Sequence, residues 1–189
     1  MKPHRIFIAI NLPEEAKAKL LAYQERWPEL LASPTGGPAR WTAKENLHLT
    51  LAFLGNTSDQ ELEKVCEVTK QIGERHKPFS SEFTKIVYGP SKDAPKMIWA
   101  VGESSSELLA LQHDIASSLA YSEDQPFSLH ITLARLSNFQ LRQFEVEELP
   151  DINEEISVSF EAKSIEVMES ALRRSGAQYT VIQSFMLKR

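Results

Sequence analysis

The segment HLTLAFL at 48–54 returns at 130–136 as HITLARL, with five of seven positions identical. Each copy closes a similar run of elements. The apolar strand IFIAINL and an amphipathic helix precede the first, and MIWAVG and another amphipathic helix precede the second. Such a repeat reads as an internal duplication, which constrains the fold more than any single propensity. The expected class is α+β, with two pseudo-symmetric lobes, each a mainly antiparallel sheet with helices on its outer face. An axis relating the lobes brings the two repeats together across a central cleft. We therefore expect one bilobal domain over residues 1–189, with half-sites at 48–50 and 130–132.

The rest of the chain supports this layout. Seven alternating or apolar runs read as strands: RIFIAINL, LHLTLAFL, FTKIVYG, MIWAVG, LHITLARL, SIEVMES and YTVIQSFML. They are rich in β-branched and aromatic residues and are bounded by turn formers. Helical spacing appears over 13–27, over 58–76 with Ser58 or Asp59 as the cap, and over 104–120, and more weakly over QLRQFEVEEL at 140–149. WPELLASPTGGPARWTAKEN and GPSKDAPK read as loops on their Pro and Gly content.

Composition narrows the function classes. At 42% hydrophobic the chain can bury a sizeable core, and no apolar run approaches the roughly 18 residues of a membrane span. The amino-terminal MKPHRIFIAINLP reads as a buried first strand and not as a signal peptide. The single cysteine, Cys66, rules out an intrachain disulfide framework and a CxxC metal site, which suits a reducing cytoplasm. A net charge of −5 disfavours an extended basic face for nucleic acid, but leaves room for a small cationic pocket gripping one phosphate. A monomer without membrane attachment is expected.

Strand alternation sharpens the repeat. In a regular strand His48, Thr50 and Ala52 share one face, while Leu49, Leu51 and Phe53 share the other. Either copy alone could be a histidine bonded to a neighbouring strand beside a threonine chosen for β propensity. Two copies facing each other are costly to bury unless they are used. Near neutrality one imidazole can be neutral and accept a proton while the other is protonated and gives one. The two threonine hydroxyls can donate to phosphate oxygens held between the rings. No HExxH is present, and His4, His76 and His113 stand at surface strand-start or helix positions, so no metal or other cofactor is expected.

HLTLAFLG and HITLAR resemble the paired signatures of the 2H phosphoesterase superfamily. RIFIAINLP, NLHLTLAFLG and the pattern S-A-L-x-x-x-G-x-x-Y-x-V from Ser170 to Val181 resemble its bacterial and archaeal 2′-5′ RNA ligase branch, the RNA 2′,3′-cyclic phosphodiesterases. The resemblance implies a bilobal fold with a central cleft. It also implies metal-independent hydrolysis of an RNA 2′,3′-cyclic phosphate to a 2′-phosphate end, with slow reverse joining through a 2′-5′ bond. By position it makes His48 and His130 the catalytic pair, Thr50 and Thr132 the phosphate binders, and Arg135 the accompanying cation. One departure is Leu129, where the family usually carries proline before the second histidine; its loss removes a φ restraint.

In-line attack by water would then have His48 as general acid to O3′ and His130 as general base. Arg135 conflicts with regular alternation, since it faces away from Thr132 unless the strand ends, twists or bulges near Ala134. Phe7 and Trp41 are the candidates for stacking a terminal base. The substrate could instead be a small cyclic nucleotide or a 2′-5′ oligonucleotide, and a non-catalytic RNA-end binding module would keep the same cleft.

Overall fold

The computed structural model describes residues 3–27, 39–121, 126–136, 151–173 and 176–188. Nine strands and three helices are seen among them. In chain order these are β1 (His4–Asn11), α1 (Glu14–Gln24), β2 (Ala39–Trp41), β3 (His48–Thr57), α2 (Asp59–Arg75), β4 (Phe79–Gly89), β5 (Met97–Val101), α3 (Ser106–Ser118), β6 (His130–Leu136), β7 (Asn153–Ala162), β8 (Ser164–Arg173) and β9 (Gly176–Met186). They form two antiparallel sheets, ordered β3-β1-β8-β9 and β2-β6-β5-β4-β7. The pseudo-symmetric lobes around a cleft are as expected. The weak helix over 140–149 lies outside the described residues.

Two strands are absent from the sequence reading. β7, NEEISVSFEA, buries Ile156, Val158, Phe160 and Ala162 at every second position, a period-two pattern that the strands expected from sequence did not include. β2 is three residues at a sheet edge inside a Pro- and Gly-rich stretch, too short for periodicity to show. Among the described residues no helix is long and apolar enough to cross a membrane.

The main core lies on the faces turned away from the cleft. Ile6, Ile8 and Ile10 of β1 join Leu49 and Leu51 of β3, and Ile98 and Ala100 of β5 join Ile131 and Leu133 of β6. Helices cover these faces. α2 packs on β8 and β9, α3 on β3, β4 and α2, and α1 on β7, so α1 and α3 each cross from the sheet they leave to strands of the other. α2 starts with a reciprocal cap: Ser58 Oγ accepts from Glu61 N at 3.4 Å, and the Glu61 carboxylate accepts from Ser58 N at 2.8 Å. α3 is capped by Ser105, whose hydroxyl accepts from Leu108 N.

The lobes match in register. Asn11 stands opposite His48 and Ala9 opposite Thr50 on β1 and β3; Val101 stands opposite His130 and Trp99 opposite Thr132 on β5 and β6. Each pair then slips by one residue at the same place. Ile8 pairs Ala52, leaving Leu51 extra, and Ile98 pairs Ala134, leaving Leu133 extra. A bulge of this kind resets the alternation beyond it. Leu51 and Ala52 are therefore both buried, as are Leu133 and Ala134. Ala52 leaves the histidine's face, and Phe53 and Arg135 turn onto it. This corrects the regular alternation read from the sequence for Phe53 and resolves the conflict over Arg135.

Candidate active site

A cavity of about 490 Å³ opens between the sheets, and His48, Thr50, His130, Thr132 and Arg135 all line it. The repeat thus delivers both histidines, both threonines and the arginine to one place, through two strands bulged alike.

Each imidazole is held by the backbone two residues upstream. His48 Nδ1 lies 2.7 Å from Asn46 O, and His130 Nδ1 lies 3.0 Å from Ser128 O. A carbonyl oxygen only accepts, so Nδ1 carries the hydrogen in both rings and Nε2 is the nitrogen left for chemistry. The Ser128 hydroxyl also approaches His130 Nδ1 at 3.3 Å. Asn46 is itself tied to β9 through Nδ2 donating to Ala177 O at 3.2 Å.

The surroundings of the two rings differ. Beneath His48 lies Phe7, ring centroids 5.0 Å apart, and Tyr179 meets its edge at 4.8 Å. Half-buried against this apolar wall, the ring is partly desolvated, which lowers the His48 pKa to about 4. The Asn46 carbonyl opposes that shift, while the positive charges of Lys17 and Arg135 add to it. His130 lies on the indole of Trp99, centroids 4.3 Å apart. Gly89 makes room for that indole, since a Cβ there would come within 2.3 Å of it.

The phosphate-binding candidates are only lightly engaged. Thr132 Oγ1 and Arg135 Nη1 point to the soft sulfur of Met97, at 3.8 and 3.6 Å. A thioether is a weak acceptor, so both donors can turn to an anion at little cost. Thr42 Oγ1 donates to Thr132 O at 2.8 Å, fixing the strand beneath that hydroxyl. Among the described residues no group of three or more His, Cys, Asp or Glu could hold a metal ion.

Leu129 replaces the lost φ restraint with a hydrogen bond. Its N–H donates to Ser104 Oγ at 3.1 Å, its carbonyl accepts from Gly102 N, and its side chain is buried. Proline could not make the first of these bonds.

The two aromatic candidates are placed otherwise than expected. Phe7 has no exposed surface and forms the floor under His48, Phe53 and Tyr179 in a small cluster with Ala9 and Met168. Trp41 stacks on Trp27, rings 8° from parallel, and packs against the main core instead of lining the cleft. Phe7 offers no face to a base, and Trp41, half-buried, does not line the cavity. The exposed aromatic of this half-site is Phe53, 48% accessible and stacked on Phe7 at 5.4 Å. It occupies the place in the first repeat that Arg135 holds in the second, a correspondence visible once the repeats are aligned. Tyr179 sits in the quoted terminal pattern, but the sequence assigned it no chemistry. Trp99 and Met97 become visible only through strand pairing.

Comparison with known proteins follows the same lines. An RNA 2′,3′-cyclic phosphodiesterase of Methanocaldococcus jannaschii is 25% identical over 187 residues, covering 96% of this chain and 99% of that one. One from Aeropyrum pernix is 30% identical over 153 residues, covering 78% and 86%. Among solved structures, a Thermus thermophilus protein superposes with a TM-score of 0.79 at 24% identity, covering 97% of each chain. E. coli LigT complexed with 3′-AMP superposes with a TM-score of 0.77 at 22% identity, covering 99% of each. The family model described as LigT-like phosphoesterase matches residues 10–99 and 101–179. With both matched segments carrying one bulged, histidine-bearing strand, the chain belongs to the LigT-like phosphoesterases of the 2H superfamily.

Proposed function

We propose that this chain hydrolyses the 2′,3′-cyclic phosphate at an RNA end to a 2′-phosphate. The observation that carries the reading is the pair of register-matched half-sites, each presenting an imidazole Nε2 and a threonine hydroxyl to one cavity. The relatives named as RNA 2′,3′-cyclic phosphodiesterases support it.

The asymmetry of the rings supports one assignment of their roles. His48, its pKa lowered to about 4 by burial, stays neutral at ordinary pH and carries a free lone pair on Nε2. It is the general base that takes the proton from the attacking water. His130, positioned against the Trp99 indole, is left to be the general acid. This reverses the roles expected from the sequence, where the two copies look alike. Water oxygen bonds to phosphorus, the P–O3′ bond breaks, His48 Nε2 gains the water proton and His130 Nε2 gives its proton to O3′. Thr50, Thr132 and Arg135 hold the non-bridging oxygens and answer the charge that builds on them. A 5′-hydroxyl of a second RNA end in place of water would form a 2′-5′ joint by the same steps. Phe53 offers its exposed ring to the terminal base.

The test is incubation of a short RNA bearing a terminal 2′,3′-cyclic phosphate, with excess chelator, followed by mass analysis and location of the phosphate. The expected product is heavier by one water and carries the phosphate on O2′. Persistence of the cyclic ester, or loss of turnover on chelation, would refute the proposal.

A further inference from the structure

The chain has four methionines, and of those among the described residues only Met97 lines the cavity. Met168 is buried in the cluster with Phe7 and Ala9, and Met186 is exposed near the end of β9. β5 places Met97, half-buried, directly opposite Arg135 on β6. Its sulfur meets two donors at once, Thr132 Oγ1 at 3.8 Å and Arg135 Nη1 at 3.6 Å. On the reading proposed above, these are two of the groups that hold the phosphate. The sulfur therefore stands where a phosphate oxygen must draw them away.

A thioether competes weakly for such donors, but its sulfoxide is polar and presents an oxygen with partial negative charge. The conversion needs a peroxide. A sulfur lone pair attacks one peroxide oxygen, the S–O bond forms and the O–O bond breaks. Sulfur gives up two electrons, and the departing oxygen takes them and the remaining proton to leave as water when the oxidant is hydrogen peroxide. The new oxygen lies within reach of a hydroxyl and a guanidinium that already point at the sulfur, and the second of these bonds is charge-assisted. We propose that Met97 is a site of oxidation to the sulfoxide by peroxides, and that the sulfoxide oxygen engages Thr132 and Arg135 in place of the phosphate until it is reduced. Cys66 is the competing target. It is half-buried on α2, outside the cavity, and burial raises its thiol pKa, so little thiolate is present to react.

The test treats the full chain with hydrogen peroxide, reads each methionine by peptide mass, and measures affinity for adenosine 2′-phosphate by calorimetry. Met97 and Met186 should each gain one oxygen, with Met168 lagging behind both. Affinity should fall about tenfold in step with oxidation of Met97, and it should return on treatment with methionine sulfoxide reductases for both epimers. Met97→Leu should keep through the treatment whatever affinity it starts with, whereas Met186→Leu should lose affinity as wild type does. Met97→Gln, whose amide oxygen stands in for the sulfoxide, should start with the lowered affinity. Met97 oxidised without loss of affinity, Met97 intact when Met186 is fully converted, an equal loss in Met97→Leu, or untreated protein that binds no adenosine 2′-phosphate overturns the proposal. Calorimetry needs no turnover. A Met97-dependent loss of affinity in a protein that opens no cyclic phosphate leaves the oxidation site standing and removes the hydrolase reading.

Discussion

A carbonyl oxygen that accepts from Nδ1 leaves each histidine with one reactive nitrogen, and what surrounds the rings then decides what that nitrogen does. His48→Ala and His130→Ala should each lower kcat/KM by roughly 10² to 10⁴. The two losses should differ in kind. A phosphodiester with an easily expelled aryloxide leaving group needs no protonated leaving oxygen, so it should recover much of the activity of His130→Ala and little of that of His48→Ala. Equal recovery in a steady-state comparison would contradict the assigned roles. The pH profile of kcat/KM should be bell-shaped, with its acidic inflection near 4, where His48 becomes protonated. An acidic inflection at the ordinary imidazole value would mean that the ring is not desolvated in solution. The identities of these residues could be read from the repeat, but their inequality could not. It arises from Phe7, Tyr179 and Trp99, which reach the rings from strands far away in the chain.

At the level of elements, the bulge at Leu51 and Leu133 and the anchored start of β6 build the site. A period-two reading sees the apolar frame of β3 and β6 correctly as far as Thr50 and Thr132 and fails just beyond. One unpaired residue exchanges the faces of everything after it. That failure misplaces Phe53 and leaves Arg135 unexplained. It comes from backbone pairing, which no side-chain pattern displays. The start of β6 makes a separate prediction. Ser104→Ala removes the acceptor for Leu129 N–H and should cost about 1 kcal/mol of stability by denaturant unfolding, with a fall in activity as His130 loses its fixed position. Gly89→Ala should cost more, about 1–3 kcal/mol, because its methyl group meets the Trp99 indole beneath His130. Wild-type stability and activity in both variants would show that neither contact matters.

Over the whole molecule, the layout of two lobes around a cleft was legible because the chain says it twice. The three-residue β2 edge was not, being too short to show a period, whereas β7 does carry one in Ile156, Val158, Phe160 and Ala162 and was open to the same reading as the other strands. Two histidines also make stability depend on pH in opposite senses. Burial lowers the His48 pKa, so its contribution is present above about 6.5 and is lost as pH falls toward about 4. Hydrogen bonds to Glu169 and then Asp59 raise the His4 pKa, so its contribution is present below about 6.5 and is lost as pH rises through the raised value. In thermal melts across pH, His48→Gln should flatten the acid side and His4→Gln the side above neutrality; a profile unmoved by either would contradict both placements.

That two matched histidines open a cyclic phosphate together can be followed at the phosphorus. A dinucleotide bearing a terminal 2′,3′-cyclic phosphate is incubated in chelator-treated buffer and its ³¹P NMR signal followed for wild type, His48→Ala and His130→Ala. Wild type should convert it completely to the 2′-phosphate monoester, and either substitution should slow the conversion at least roughly 10²-fold. A cyclic signal that persists with wild type, a 3′-phosphate product, or full activity in either variant would contradict that joint action.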